Sequence, residues 1–239
     1  MGQGHGWEGA VLKLLRAKDF VFTVTGSEDV TEHYRRVHLT DGGMLAATGV
    51  HPTMWVRLWF DNAGKPHQRA YTLVDPDPEA GTFSLEFALH EGVASDWART
   101  AEPGDTIEAT IHGTGFADPD PAPSHVFAIA DTASLPALNS LLTALDAAPA
   151  TVWFEGERDG LPFRTAESRH EVRTLPRQDA GAHLVAQVKE TLPDLLKGTS
   201  DPYVWIACDT ATTRALTSYV RKELGLPKQR VNALGYWRA

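Results

Sequence analysis

The residues Ala-Asp-Pro-Asp-Pro-Ala-Pro-Ser at 117–124 split the chain near its midpoint, and the apolar period differs on the two sides of them. Before this stretch, alternating apolar residues predict strands at Phe20 to Thr25, Glu32 to Leu39, Met54 to Phe60, Ala70 to Val74, Thr82 to Leu89 and Thr106 to Ile111. Turn residues separate them at 41–43, 61–64, 75–78 and 103–105. Short strands at this spacing suit a small antiparallel β-barrel or sandwich. After the stretch, a continuous apolar run at Val126 to Ala130 and further strand segments at Thr151 to Phe154, Val172 to Leu175, Val204 to Ala207 and Val231 to Leu234 alternate with helical patterns at Leu135 to Leu145, Ala182 to Leu196 and Thr212 to Leu224. That alternation predicts a parallel sheet covered on both faces, an α/β domain of nucleotide-binding type. The expected layout is a barrel over 1–117, a linker over 118–124 in which nothing can pack, and the α/β domain over 125–239.

Composition excludes several classes. The 22 Lys and Arg face 31 Asp and Glu, a formal charge of −9 with no offsetting basic patch, so nucleic acid is not an expected partner. The one cysteine, Cys208, rules out an internal disulfide, a cysteine-based zinc site and a thiolate-held iron–sulfur cluster. It ends an apolar strand, where a thiol is ordinarily a small buried hydrophobe. The ten histidines are scattered, and neither HExxH nor GxSxG occurs, which weakens metalloenzyme and hydrolase readings. Lys13, Arg16, Lys18 and Asp19 interrupt the early apolar stretch Val11 to Val24, which cannot supply the ~20 apolar residues of a membrane helix. A cytoplasmic protein without membrane insertion is expected.

Four strings could carry chemistry. Arg69-Ala70-Tyr71-Thr72 lies on a strand whose alternation sets Arg69 and Tyr71 on one face and Ala70 and Thr72 on the other. A stacking ring, a hydroxyl for ring heteroatoms and a cation for phosphate suit a flat ligand with an anionic tail; the ordinary alternative is an amphipathic strand with a snorkelling arginine. His90-Glu91-Gly92-Val93-Ala94-Ser95 leads into a short helix and could present bare N–H groups to a pyrophosphate, or be a helix start capped by Ser95. Asp131-Thr132-Ala133 and Asp209-Thr210-Ala211 each follow an apolar strand and precede a helix, at the strand ends where open parallel sheets bind ligands; simple N-capping by Thr132, Ser134, Asp209 or Thr210 is the alternative. Neither is a GxGxxG or P-loop fingerprint.

In this order and spacing, RAYT at 69–72, LHEGVASDWARTAEPGD at 89–105, ADTASLPAL at 130–138, and YVWIACDTATTRALTSYVRKELGL followed by GYWR at 235–238 resemble the siderophore-interacting proteins, flavin-dependent ferric-siderophore reductases of the ferredoxin-reductase-like superfamily. The resemblance runs from about Phe20 to Arg238. The opening WEGAVLKLLRAKDF is similar to the reductase domain fused to mycobacterial-type siderophore importers, although no transporter segment is present in this sequence.

The resemblance implies an FAD-binding barrel and a C-terminal NAD(P)H-type domain. Arg69, Ala70, Tyr71 and Thr72 match the isoalloxazine and phosphate contacts, and His90, Gly92, Val93, Ala94 and Ser95 match the loop over the pyrophosphate. Asp131, Thr132 and Ala133 match the turn beneath the nicotinamide or ribose, and Asp209 the acidic residue after the late strand. Tyr236 and Trp237 are candidates to wall a ferric-chelate pocket, or pack where domains meet. Val93 stands where the family usually has proline, and Ala130 and Cys208 where it usually has glycine; the added side chains bear on the nicotinamide donor more than on the flavin.

One electron turns hard ferric iron into ferrous iron, which oxygen ligands hold more weakly. A hydride carries two electrons together, so a flavin is the natural converter, and no side chain need act as acid or base. The expected function is FAD-dependent reduction of a ferric siderophore by NADPH or NADH. The alternatives are a flavin reductase or diaphorase with another acceptor, a reductase fed by ferredoxin, and a non-catalytic siderophore-binding protein.

Overall fold

The computed structural model describes residues 18–238, so the opening Trp7 to Ala17 lies outside the described residues. The chain forms two compact units, Met1–Phe116 and Ala117–Ala239.

The first unit is a closed antiparallel barrel of β1 (Lys18–Thr31), β2 (Tyr34–Thr40), β3 (Trp55–Asn62), β4 (Lys65–Asp77), β5 (Thr82–Ala88) and β6 (Thr106–Ile111), in the order β1-β2-β5-β4-β3-β6. The alternating apolar residues fill its interior: Phe22, Val24, Val37, Leu39, Val56, Leu58, Phe83, Leu85 and Ile107 are all buried in one cluster. Closure removes the free sheet edges.

Two local features exceed the sequence pattern. Strand β4 begins at Lys65 rather than Ala70, because its polar first half pairs residue by residue with Asn62 back to Trp55. It continues through the Asp-Pro-Asp-Pro turn signal as an irregularity in which Asp75 takes a positive φ of 48°. The Asp-Gly-Gly turn also starts a short helix, α1 (Met44–Thr48). There Asp41 accepts from Gly43 N at 2.9 Å and Leu45 N at 2.6 Å, which drives Met44 and Leu45 into the barrel core.

The second unit is a parallel sheet ordered β11-β10-β7-β8-β9, from β7 (His125–Asp131), β8 (Ala150–Glu155), β9 (His170–Leu175), β10 (Pro202–Ala207) and β11 (Val231–Ala233). Helices α3 (Leu135–Ala144), α4 (Ala182–Lys197) and α5 (Thr210–Ser218) connect them, and a single π turn, Tyr219–Glu223, extends α5. Central β7 has β8 on one side and β10 on the other, so the strand order reverses beside it. Ligands of doubly wound sheets enter at such a reversal, outside the carboxyl ends of the strands.

The proline-rich stretch is not bare. Pro119 is buried, and the buried Arg230 donates to Pro121 O at 2.7 Å and to Asp201 at 3.3 Å. Ser124 and Asp201 exchange two further bonds, so this stretch is held against its own unit. Among the described residues no helix is long and apolar enough to cross a membrane, and no group of three His, Cys, Asp or Glu could hold a metal ion.

Candidate functional site

In the barrel, β4 and the helix after β5 meet on one aromatic cluster. Tyr71 shares the face of Val56, its cross-strand partner, and its ring packs on Phe87 at 4.3 Å and on the edge of Phe60 at 6.5 Å. Helix α2 (Val93–Thr100) puts Trp97 against the same two rings, at 5.8 Å and 5.9 Å, and buries Ala94 and Ala98. Two strings some 20 residues apart are thereby joined.

Burial pushes the Tyr71 phenol well above its usual range, so it stays a donor. Arg69 is exposed and spends one Nη1 bond, of 2.8 Å, on Gln68 O. Thr72 lies on the opposite face, is buried, and its Oγ1 has no hydrogen-bond partner among the described residues. Arg57 Nη1 and Gln68 Nε2 are also buried without partners, and the register places both on the face of Thr72. They were not singled out from sequence; the Trp-x-Arg-x-Trp alternation at 55–59 is the signal that marks that face.

The start of α2 is open. Gly92 has a φ of 134°, and a Cβ there would approach nothing closer than the His90 ring at 3.9 Å. No side chain caps the first turn, because the N-cap is Gly92; Ser95, already inside the helix, accepts from His90 N at 3.1 Å through its Oγ. His90 turns its Nδ1 to Glu91 O at 2.6 Å, and Val93 and Ala94 begin the helix. An uncapped first turn offers N–H groups to an anion.

In the second unit the carboxyl ends of the strands gather three buried carboxylates. Asp131 ends β7, Glu155 ends β8 directly beside it in register, and Asp209 follows β10; they are 5%, 3% and 2% exposed. Asp131 Oδ1 accepts from Ser134 N at 3.0 Å, and its own N–H donates to Ser134 Oγ at 2.9 Å. Asp209 Oδ1 takes the N–H groups of Ala211 and Thr212 at 2.9 and 3.0 Å. Both turns are therefore N-capped by their own aspartates, and these helix starts are already occupied by negative charge.

Arg177, just beyond β9, answers that charge. It is hydrogen-bonded to Glu155 Oε2, lies 3.4 Å from Asp209 Oδ2, and stacks over the Trp237 ring at 4.7 Å. Trp237 Nε1 donates to Asp131 Oδ2 at 2.7 Å, while its carbonyl accepts from Thr210 N and Oγ1, both at 2.8 Å. Tyr236 N donates to Cys208 O at 2.9 Å, and the Tyr236 ring meets Trp205 edge-on at 6.5 Å. Thr132 lies so close to Gly156 that a Cβ there would sit 2.6 Å from its Oγ1, whereas Ala133 is exposed. Cys208 is fully buried and burial pushes its thiol well above the usual range. Sequence reasoning missed Glu155 and Arg177; a lone acid ending an apolar run was the available signal.

A siderophore-interacting FAD-binding domain model matches residues 28–113, and a siderophore-interacting protein model matches 123–239. The chain belongs to the siderophore-interacting protein family. Two relatives are the mycobactin import ATP-binding/permease proteins IrtA of Mycolicibacterium thermoresistibile, 34% identical over 98% of this chain, and of Mycobacterium tuberculosis, 30% identical over 98%. The family member described here spans 26% and 28% of their lengths, about a quarter of each. The ferric acinetobactin reductase of Acinetobacter baumannii is 25% identical over 78% of this chain and 67% of its own. Among solved structures, the siderophore-interacting protein of that genus superposes with a TM-score of 0.79 at 22% identity, covering 92% of this chain and 91% of its own. A ferredoxin NADP+ reductase from Neisseria gonorrhoeae with bound FAD and NADP superposes at 0.69 with 14% identity, over 92% and 99%. The ferredoxin-reductase-like fold expected from sequence is the fold observed.

Asp131 also carries a pH signature. Burial pushes its carboxyl up to about 6, against the opposing bonds from Trp237 and Ser134. The folded state then holds this proton in a range where the unfolded chain has lost it. Stability from this group falls as pH rises from about 4 to about 6, by at most about 3 kcal/mol. Asp131→Asn should remove that slope in melts recorded across pH 4–7. Its amide nitrogen meets a donor, so absolute stability drops at every pH and the slope is the readout.

Proposed function

We propose that the chain is an FAD-dependent ferric-siderophore reductase, fed by NADH or NADPH, that releases iron as Fe(II) from an imported chelate in the cytoplasm. The observation that carries this reading is the joining of the Arg69 to Thr72 strand and the uncapped start of α2 on one aromatic cluster, inside the segment matched by the FAD-binding model. Similarity to the ferric acinetobactin reductase supports the choice of substrate class.

The residues fit the cofactor. Tyr71 offers a ring and a protonated hydroxyl, and the orphaned Thr72 Oγ1 can satisfy a ring heteroatom. Arg69 and the N–H groups of Val93, Ala94 and Ser95 can hold the pyrophosphate, with Gly92 letting its oxygens approach the backbone. The bound flavin supplies the conversion between a two-electron donor and a one-electron acceptor. For each NAD(P)H oxidised, two ferric ions become ferrous and one proton is released.

The second unit would receive the donor, with Asp131, Thr132, Ala133 and Asp209 at the strand ends. The capped turns there favour a second reading, in which reduced ferredoxin replaces the dinucleotide. Purified protein should be yellow. Anaerobically, its flavin absorbance should bleach with NADH, NADPH or reduced ferredoxin and return with a ferric hydroxamate or catecholate, as a ferrous-trapping dye develops. A colourless protein that ignores added FAD would sink the proposal. Turnover with free flavin or quinone but no ferric chelate would indicate a diaphorase; tryptophan quenching by ferric chelate without trapped ferrous iron would indicate a binding protein.

A further inference from the structure

Glu155 has a carboxylate oxygen that the fold leaves unanswered. Its side chain is almost fully buried at the end of β8; Oε2 is taken by Arg177, yet Oε1 has no hydrogen-bond partner among the described residues. A buried acceptor without a donor is costly unless something outside the chain supplies one. The surroundings say which donor fits. Asp131 and Asp209 flank Glu155; among the described residues Arg177 is the cation bonded to Glu155 and Asp209, with a smaller favourable contribution at Glu155 from His183, so the three carboxylates outnumber the arginine that answers them. The neighbouring helix starts, which elsewhere would welcome phosphate, are filled by Asp131 and Asp209 themselves. This corner therefore accepts hydrogen bonds from a neutral hydroxyl and repels added anions.

In a doubly wound sheet, the end of the strand after the first βα unit is where an acidic side chain meets the adenosine ribose. Here β7, α3 and β8 form that unit and Glu155 ends it.

We propose that Glu155 Oε1 accepts the ribose 2′-hydroxyl of a nicotinamide dinucleotide, so that the electron donor is NADH and NADPH is rejected. The inference rests on the dinucleotide reading given above. Arg177 does not rescue a 2′-phosphate, because it is already shared between Glu155 and Asp209 and held over the Trp237 ring. A 2′-phosphate would bring roughly two negative charges to a buried carboxylate.

The test is calorimetric titration of the FAD-loaded protein with NAD+ and NADP+, which bind without reducing the flavin. Wild type should bind NAD+ roughly 10–100-fold more tightly than NADP+. Glu155→Gln keeps the shape and removes the charge; it should narrow that ratio to about threefold, mainly through tighter NADP+ binding. Equal or tighter binding of NADP+ by wild type overturns the proposal while leaving a dinucleotide donor in place, as does an unchanged ratio in a folded Glu155→Gln. Binding of neither dinucleotide overturns the donor reading itself, and this proposal with it.

Discussion

Arg69→Ala combined with Tyr71→Ala should yield a barrel that purifies without flavin. An arginine–phosphate bond is worth about 1.5–3 kcal/mol and aromatic stacking about 1 kcal/mol beyond the area buried, so FAD affinity should fall roughly 100- to 1,000-fold. The two changes separate cleanly. Arg69 is exposed and hydrogen-bonds the neighbouring Gln68 carbonyl, so Arg69→Ala should leave the melting temperature within about a degree. Tyr71 packs on Phe87 and Phe60, and its truncation should also destabilise the barrel, by about 2 kcal/mol. Tyr71→Phe keeps that packing and isolates the hydroxyl. Titration of apoprotein with FAD, followed by flavin fluorescence, reads all four forms. Wild-type affinity in a folded double variant would mean the strand is merely structural.

The second large effect is on stability. Arg177→Met should destabilise the α/β unit by about 3 kcal/mol, because it strands Glu155 and Asp209 in a buried site without their cation. Arg177 is about one-third exposed, which keeps the loss near the lower end for broken buried pairs. Burial already holds the Glu155 carboxyl above its ordinary range, and loss of the arginine would raise it further. The deficit should therefore be largest near pH 8 and shrink as pH falls, since a protonated Glu155 no longer needs the cation. Arg177→Met with Glu155→Gln should recover most of the loss. A pH-independent deficit, or no recovery in the double variant, would show that Arg177 acts through its contact with Trp237 instead.

The legible parts of the candidate site were those written in consecutive residues. Arg69, Tyr71 and Thr72 share one strand, and Gly92 to Ser95 one helix start, so alternation and capping rules reached them. The capping alternative proved right for Asp209; at the first turn the cap is Asp131 rather than Thr132 or Ser134, and Ser95 caps nothing, its hydroxyl turned back to His90 N. Nothing local distinguishes these outcomes, because each depends on what a neighbouring loop presents. Glu155 and Arg177 were unreadable for a related reason. They lie 22 positions apart, on the ends of adjacent strands, and meet only once β8 and β9 are in register.

Apart from the short helix α1, element type and order were determined by the sequence itself. An apolar period of two or continuous apolar runs reflect backbone geometry residue by residue, and the change of period at 117–124 divides barrel from parallel sheet. A single cysteine already excluded an internal disulfide and a thiolate-held iron–sulfur cluster. The acidic balance, by contrast, was only a total until the chain folded. Tertiary structure decided which three carboxylates are buried together, which arginine faces them, and which oxygen is left without a donor. Those facts depend on register and burial, and in a poorly solvated corner a partner a few ångströms away outweighs any average over the surface.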